Sequence, residues 1–219
     1  MGRPRGAMLQ ARLASLPQLQ QGHCWRKVGR NDDTEAHRLC VMERRFPQGY
    51  VAMDAERDYS LQVPQDAKWT VIPYMGRTRS GISIHPYSAD VNGGSVTYRF
   101  AVPAGINEVD VHVITASTLA FKRREGHRYT VGFEGQAPVE VNFNGELNEE
   151  PENVYRIMYP TVARRVIDKT VKLKVDKSGE KSLVITPLDP GVVLQKIVVD
   201  MGGYKESHLF GKESECQRR

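Results

Sequence analysis

From Gly49 onward apolar residues recur at every second position, and this period constrains the fold more than any other feature of the chain. A period of two suits a strand with one buried face; it cannot hold an apolar stripe on one side of a helix. "SVTYRFAV" at 95–102 puts Val96, Tyr98, Phe100 and Val102 on one face. "EVDVHVI" at 108–114 turns Val109, Val111 and Val113 inward and Asp110 and His112 outward. "HRYTVGF", "VEVNF" and "TVKLKVD" repeat the pattern with Tyr129, Val131 and Phe133, with Val139, Val141 and Phe143, and with Val171, Leu173 and Val175. Glycine-bearing turns separate these runs at 103–105, 133–136, 143–146 and 176–180, and "DKSGEKSLVI" at 176–185 reads as a hairpin. About ten strands with no repeated helix between them predict an antiparallel β-sandwich of the jelly-roll kind, not an α/β sheet.

The first 46 residues follow a different rule. Leu9, Leu13 and Leu16 stand at helical spacing before Pro17, and Asp33 is placed to cap a second helix running through Arg45. Neither helix carries enough apolar surface to stand alone. The expected organisation is therefore a helical or poorly ordered extension over 1–46 and a sandwich over 47–219. A domain of this size buries roughly 70% of its unfolded surface, so packing alone can hold it together.

Charge and cysteine content exclude several functions. Thirty-one basic residues against 26 acidic ones leave a net charge of +5. That is too mild and too dispersed for a nucleic-acid surface. No apolar run is long enough for a membrane-spanning helix, and the N-terminus lacks the apolar core of a secretory signal. The sequence does not fix a location. Cys24, Cys40 and Cys216 are odd in number and form no CxxC pair, so neither a disulfide framework nor zinc is expected; a Cys24–Cys40 bridge stays open. His85, His112, His127 and His208 lack ligand spacing. No phosphate loop, GxSxG or HExxH is present, and no cofactor is expected.

The last strand, "DPGVVLQKIVVDMGG" at 189–203, is apolar on both faces yet carries Gln195 and Lys196. Strict alternation groups Val193, Gln195, Ile197 and Val199 on one face and Val192, Leu194, Lys196 and Val198 on the other. Such a strand is expected to be central or covered on both sides. Gln195 must then find partners, since an unpaired buried amide costs about 1–3 kcal/mol.

Several motifs in order resemble one family. "GYVAMDAE" at 49–56, "WTVIPYMGRTRSGISIHP" at 69–86, "STLAF" at 117–121, "HRYTVGFEGQAPVEVN" at 127–142 and "DPGVVLQKIVVDMGGYKESHLFGKES" at 189–214 are similar to the C-terminal region of glycoside hydrolase family 115, the xylan α-glucuronidases. The resemblance implies an accessory β-sandwich in the style of carbohydrate-binding modules. It also implies that the catalytic region lies in other domains, that the chain is a fragment or truncated product, and that the domain docks on that region and takes part in dimers. The family's catalytic carboxylates have no counterparts here, so no catalytic residue is assigned and the chain alone is expected to be inactive. Inverting glycosidases need two carboxyl groups about 6.5–9.5 Å apart. Asp54, Glu56, Glu108, Asp110, Glu134 and Asp189 read instead as solvated charges.

"MDAERD" at 53–58 resembles the acidic opening of carbohydrate-binding module families 6 and 35, which implies a structural calcium. A cation at Lys196 would repel that ion. The favoured reading is metal-free, with Lys196 paired to Glu56, and Glu56, Gln195 and Lys196 as a structural polar cluster. Candidate ligand or interface residues are Arg77 and Arg79 in "GRTRSG", where the family usually has glycine in place of Arg79, Phe121 and Arg123 in "FKRREGHR", and Tyr204 and Phe210 in the tail. The tail is expected to leave the sandwich at Gly202–Gly203 and expose Tyr204, His208, Leu209 and Phe210. Docking to the catalytic domains of such an enzyme, or to a second copy of the chain, is the leading expectation. The alternative is a free-standing carbohydrate-binding module for glucuronoxylan.

Overall fold

The computed structural model describes residues 42–43, 49–215 and 217–218. Most of the expected helical extension lies outside them, although Met42–Glu43 (β1), expected within a helix, is a short strand paired with Gln217–Arg218 (β13). The sandwich is built from β2 (Tyr50–Asp54), β3 (Tyr59–Gln62), β4 (Lys68–Ile72), β5 (Gly81–His85), β6 (Ser95–Val102), β7 (Glu108–Ala116), β8 (Arg128–Phe133), β9 (Val139–Asn142), β10 (Val166–Lys174), β11 (Gly179–Pro187) and β12 (Leu194–Asp200). One sheet runs β10-β7-β12-β5-β4, with β2 also on β12; the other runs β3-β6-β11-β8-β9. All the pairings are antiparallel.

The inward residues of the alternating runs meet between the sheets. Tyr98, Phe100, Val111, Val113, Tyr129, Val131, Leu183, Ile185 and Ile197 are among the buried members of one core. The Tyr98 hydroxyl donates to the Ala55 carbonyl at 2.8 Å, so its polar end is satisfied inside that core. "DKSGEKSLVI" is not a hairpin. β10 pairs with β7 and β11 with β6 and β8, so the turn at 175–178 carries the chain from one sheet to the other. Alternation gives each strand a buried face but does not say which sheet that face belongs to.

β12 departs from strict alternation. Leu194 lies opposite Thr115 and Lys196 opposite the next residue, Ile114, which leaves Gln195 as the extra residue of a bulge. The bulge resets the faces: Leu194 and Ile197, three apart, both join the inter-sheet core. The Gln195 carbonyl accepts from the Ala55 N–H at 3.0 Å, while its side-chain Oε1 is buried without a partner among the described residues.

The outer face of β12 is covered, as its composition requires, by the chain's own tail. Phe210 is 1% exposed and packs on Ala52, Ile114, Val166 and Val198, flanked by Tyr50 and Tyr204. The expectation of a released tail is thus corrected: Phe210 closes a second small core and offers no ring to a ligand, while His208 and Leu209 remain exposed. Asp200 Oδ1 accepts the N–H groups of Gly202, Gly203 and Tyr204 at 2.8–2.9 Å, so the double glycine makes a fixed turn that folds the tail back. Sequence patterning also missed a helical segment, Pro151–Asn153 (α1), a π-turn at Val154–Met158 and Tyr159–Arg164 (α2), in which no residue is buried.

Candidate functional site

Three connections converge at one end of the sandwich: β5–β6, β7–β8 and β11–β12. Lys122 N–H donates to His127 Nε2 at 3.2 Å, and buried Asn144 fastens the loop at both ends, accepting the His127 N–H at 2.6 Å and donating to the Thr118 carbonyl at 2.7 Å. His127 is fully buried. Burial, helped by the nearby Lys122 and Arg123 charges and opposed by Asp189, lowers its pKa, so the ring stays neutral. Its Nδ1 has no partner among the described residues.

This frame presents Phe121, 54% exposed. Its ring stands edge-on to His127 at 4.7 Å and 6.0 Å from Tyr87, whose ring lies 4.1 Å from that of His85. Gly191 lets the ring rest on backbone: a Cβ there would sit 2.6 Å from Phe121 Cε1. Beside it, Asp189 Oδ2 accepts from the Arg128 N–H and Nε at 3.0 Å and lies 3.9 Å from Arg123. Arg123 also lies 3.8 Å from Glu125, and about a third of its side chain remains in solvent, 35%. Two aromatic rings and a guanidinium on rigid loops suit a ligand with apolar C–H faces and hydroxyl or carboxylate groups.

The other expected site residues do not join this end. Lys196 is 1% exposed and donates to the Leu209 and Gly211 carbonyls at 3.0 and 2.8 Å. Its carboxylate partner is Asp54, at 3.7 Å, not Glu56 as expected; β2 aligns Asp54 directly with Lys196. Burial lowers the Lys196 pKa against the opposing pull of Asp54 and Glu213. Asp54 also accepts from Thr78 at 2.6 Å and meets Arg79 at 3.3 Å, and Arg79 reaches Glu213, which Arg57 holds at 3.0 Å. These groups do not fit a calcium site: the carboxylate already faces an ammonium and a guanidinium. Arg77 donates to the Arg164 carbonyl and meets His208 at 3.3 Å. Asp54 and Asp189, read from sequence as solvated, are 2% and 6% exposed. Each is fastened to basic groups, Asp54 to Lys196 and Arg79 and Asp189 to Arg128.

Behind Tyr204, His112 Nδ1 faces Asp168 at 3.2 Å and Thr170 at 3.1 Å. Both meet the same nitrogen, so the ring is no proton relay between them. Burial of the ring opposes its charge, but the hydrogen bond to Asp168 and the charges of Asp168, Asp200 and Asp110 prevail and raise its pKa above 6.5. The resulting stabilisation is complete below the unfolded pKa of about 6.5 and is lost as pH rises through the higher folded value. Melting of wild type and His112→Asn between about pH 6 and pH 8 checks this. The wild-type advantage should be largest at the acidic end, and a constant difference would contradict it.

Tyr87 and Asn144 escaped the sequence reading, and Asp54, read there as solvated, is the buried partner of Lys196. Tyr87 follows His85–Pro86 directly after a strand, and an aromatic at a strand exit was the available signal. Nothing in the local pattern of "FNGE" announces that Asn144 ties a loop more than twenty residues away.

Residues 47–213 match the C-terminal domain of glycosyl hydrolase family 115. No curated protein matches the chain. Among solved structures, BtGH115A, a 4-O-methyl-α-glucuronidase with specificity for decorated arabinogalactans, is similar at 19% identity and a TM-score of 0.47 over 66% of this chain and 18% of its own. The exo-β-1,3-galactanase Pc1,3Gal43A of Phanerochaete chrysosporium is similar at 19% identity and a TM-score of 0.45, covering 69% of this chain and 29% of that one. A family 35 carbohydrate-binding module from Clostridium thermocellum is similar at 11% identity and a TM-score of 0.46, covering 68% and 97%. The chain thus spans about a fifth of BtGH115A.

Proposed function

The chain belongs to the glycosyl hydrolase family 115 C-terminal domain family, and on that premise we propose that it is a carbohydrate-binding module whose ligand seats on the Phe121 loop end. The observation that carries this reading is an aromatic ring left half in solvent on a loop fastened by Asn144 and His127, beside the partly exposed Arg123 guanidinium. An exposed phenyl ring is costly in water, at about 25 cal/mol per Å², and sugar C–H faces are its natural cover. Arg123 supplies a fork for a uronate carboxylate, and glucuronoxylan oligosaccharides are therefore the first ligands to test.

Titration calorimetry with aldouronic acids tests it. Phe121→Ala is expected to weaken binding by about tenfold or more, because it removes the stacking surface. Arg123→Gln is expected to weaken acidic oligosaccharides more than neutral xylo-oligosaccharides. Equal affinity of wild type and Phe121→Ala would sink the proposal.

A second reading, docking to the rest of a family 115 enzyme, is favoured by one observation. Tyr155, Tyr159 and Val162 form a stripe along the helical segment at 76%, 55% and 56% exposure. Spacing of i, i+4, i+7 is that of a face made to be covered.

A further inference from the structure

The sandwich has an open side between β10, the edge of one sheet, and the end of β9, the edge of the other. The helical segment lies along this gap, with none of its own residues buried and with Ile157, Pro160 and Thr161 turned to it. A cleft of about 200 Å³ remains. Phe143, Leu147 and Ile157 give it an apolar side, and Arg156, Thr161 and Asp168 are among its polar groups.

Charge matching singles out one residue. Of the cleft's other cations, Lys169 holds Glu146 at 2.6 Å and Arg164 holds Glu206 at 2.6 Å. Asp168 is engaged by His112. Arg156 lines the cleft and makes no ion pair among the described residues. It sits with Ile157 in the π-turn Val154–Met158, a wide-bore departure from the α-helix that forfeits hydrogen-bond quality and recurs at functional sites.

We propose that this cleft binds a small hydroxylated carboxylate of monosaccharide size, with Arg156 taking the carboxylate. A guanidinium with no ion pair among the described residues can take a carboxylate bidentately. The Asp168 and Glu146 carboxylates in the same wall have lone pairs left to accept hydroxyl donors. The volume lies below that of drug-sized sites, so one ring or one short chain is accommodated, not an oligosaccharide. This site is separate from the loop end and does not depend on the function proposed for it.

The test is amide chemical-shift mapping of the labelled full chain with D-glucuronate, D-gluconate, D-glucose and inorganic phosphate. Shifts at amides 156–169 are expected with at least one of the two acids, and the ring and open-chain arms tell which form fits. Arg156→Gln is expected to weaken that binding by about tenfold, with Arg156→Lys intermediate. Because Arg156 is exposed and makes no ion pair among the described residues, Arg156→Gln should melt as wild type, and Phe121→Ala should retain the response. Three results overturn the proposal: no shift there with either acid at about 10 mM, wild-type binding by Arg156→Gln, or glucose or phosphate binding as tightly as the acids.

Discussion

Replacing Lys196 with methionine is expected to lower the melting temperature by about 10 °C and to release the tail from the outer face of the sheet. Methionine keeps much of the lysine's volume, so the loss isolates the charge. Lys196 is where three parts of the chain meet: the β12 bulge, the Asp54 carboxylate at the end of β2, and the carbonyls of Leu209 and Gly211. Removing one partner of a buried pair costs about 3–5 kcal/mol, and a protein of this size loses roughly 2–4 °C for each kcal/mol. Among the described residues, Asp54 would be left buried with Thr78 and Arg79 against its charge. The Asp54→Asn/Lys196→Met double variant is expected to cost less than Lys196→Met alone, because no buried charge then stands unmatched. Amide exchange at 209–211 should rise in Lys196→Met. A variant melting within about 2 °C of wild type would show that the ammonium is not what holds the tail.

Gly126→Ala is expected to destabilise the protein by about 3 kcal/mol and to abolish glycan binding together with it. Gly126 has φ +106, where a Cβ is strained whatever the space around it. Here there is no space either: the added Cβ would lie 2.2 Å from Asn142 Oδ1 and 2.6 Å from the Gly145 backbone. The neighbouring His127 N–H is held by Asn144, so the loop cannot shift without breaking that staple and moving Phe121 and Arg123. Differential scanning calorimetry and oligosaccharide titration on the same sample check both parts. A Gly126→Ala protein that melts and binds as wild type would mean that the loop is softer than its hydrogen bonds imply.

Most of the fold was legible because burial in a sandwich is written at period two. Val96, Tyr98, Phe100 and Val102 could be assigned to one face without knowing what lay opposite, and all are buried. Two things were not legible in that pattern. The bulge at Gln195 changes which residues share a face, and its cause is pairing with β7, far away in sequence. The sheet that each strand joins is likewise a long-range choice, which is why the 176–185 turn looked like a hairpin. The site was only half visible. Phe121 and Arg123 stood out as an aromatic within a basic loop, but Tyr87, Asn144 and Gly191 join them only through tertiary contact. The tail was misread for the same reason: Phe210 has no partner in the sequence around it, and its cover is the outer face of β2, β7, β10 and β12.

Amide chemical-shift mapping with aldouronic oligosaccharides tests the central claim most directly. Binding at the loop end predicts shifts concentrated at 86–94, 117–127 and 189–193, lost in Phe121→Ala while the rest of the spectrum is preserved. Shifts confined to the exposed stripe of the helical segment, or none at millimolar ligand, would contradict it.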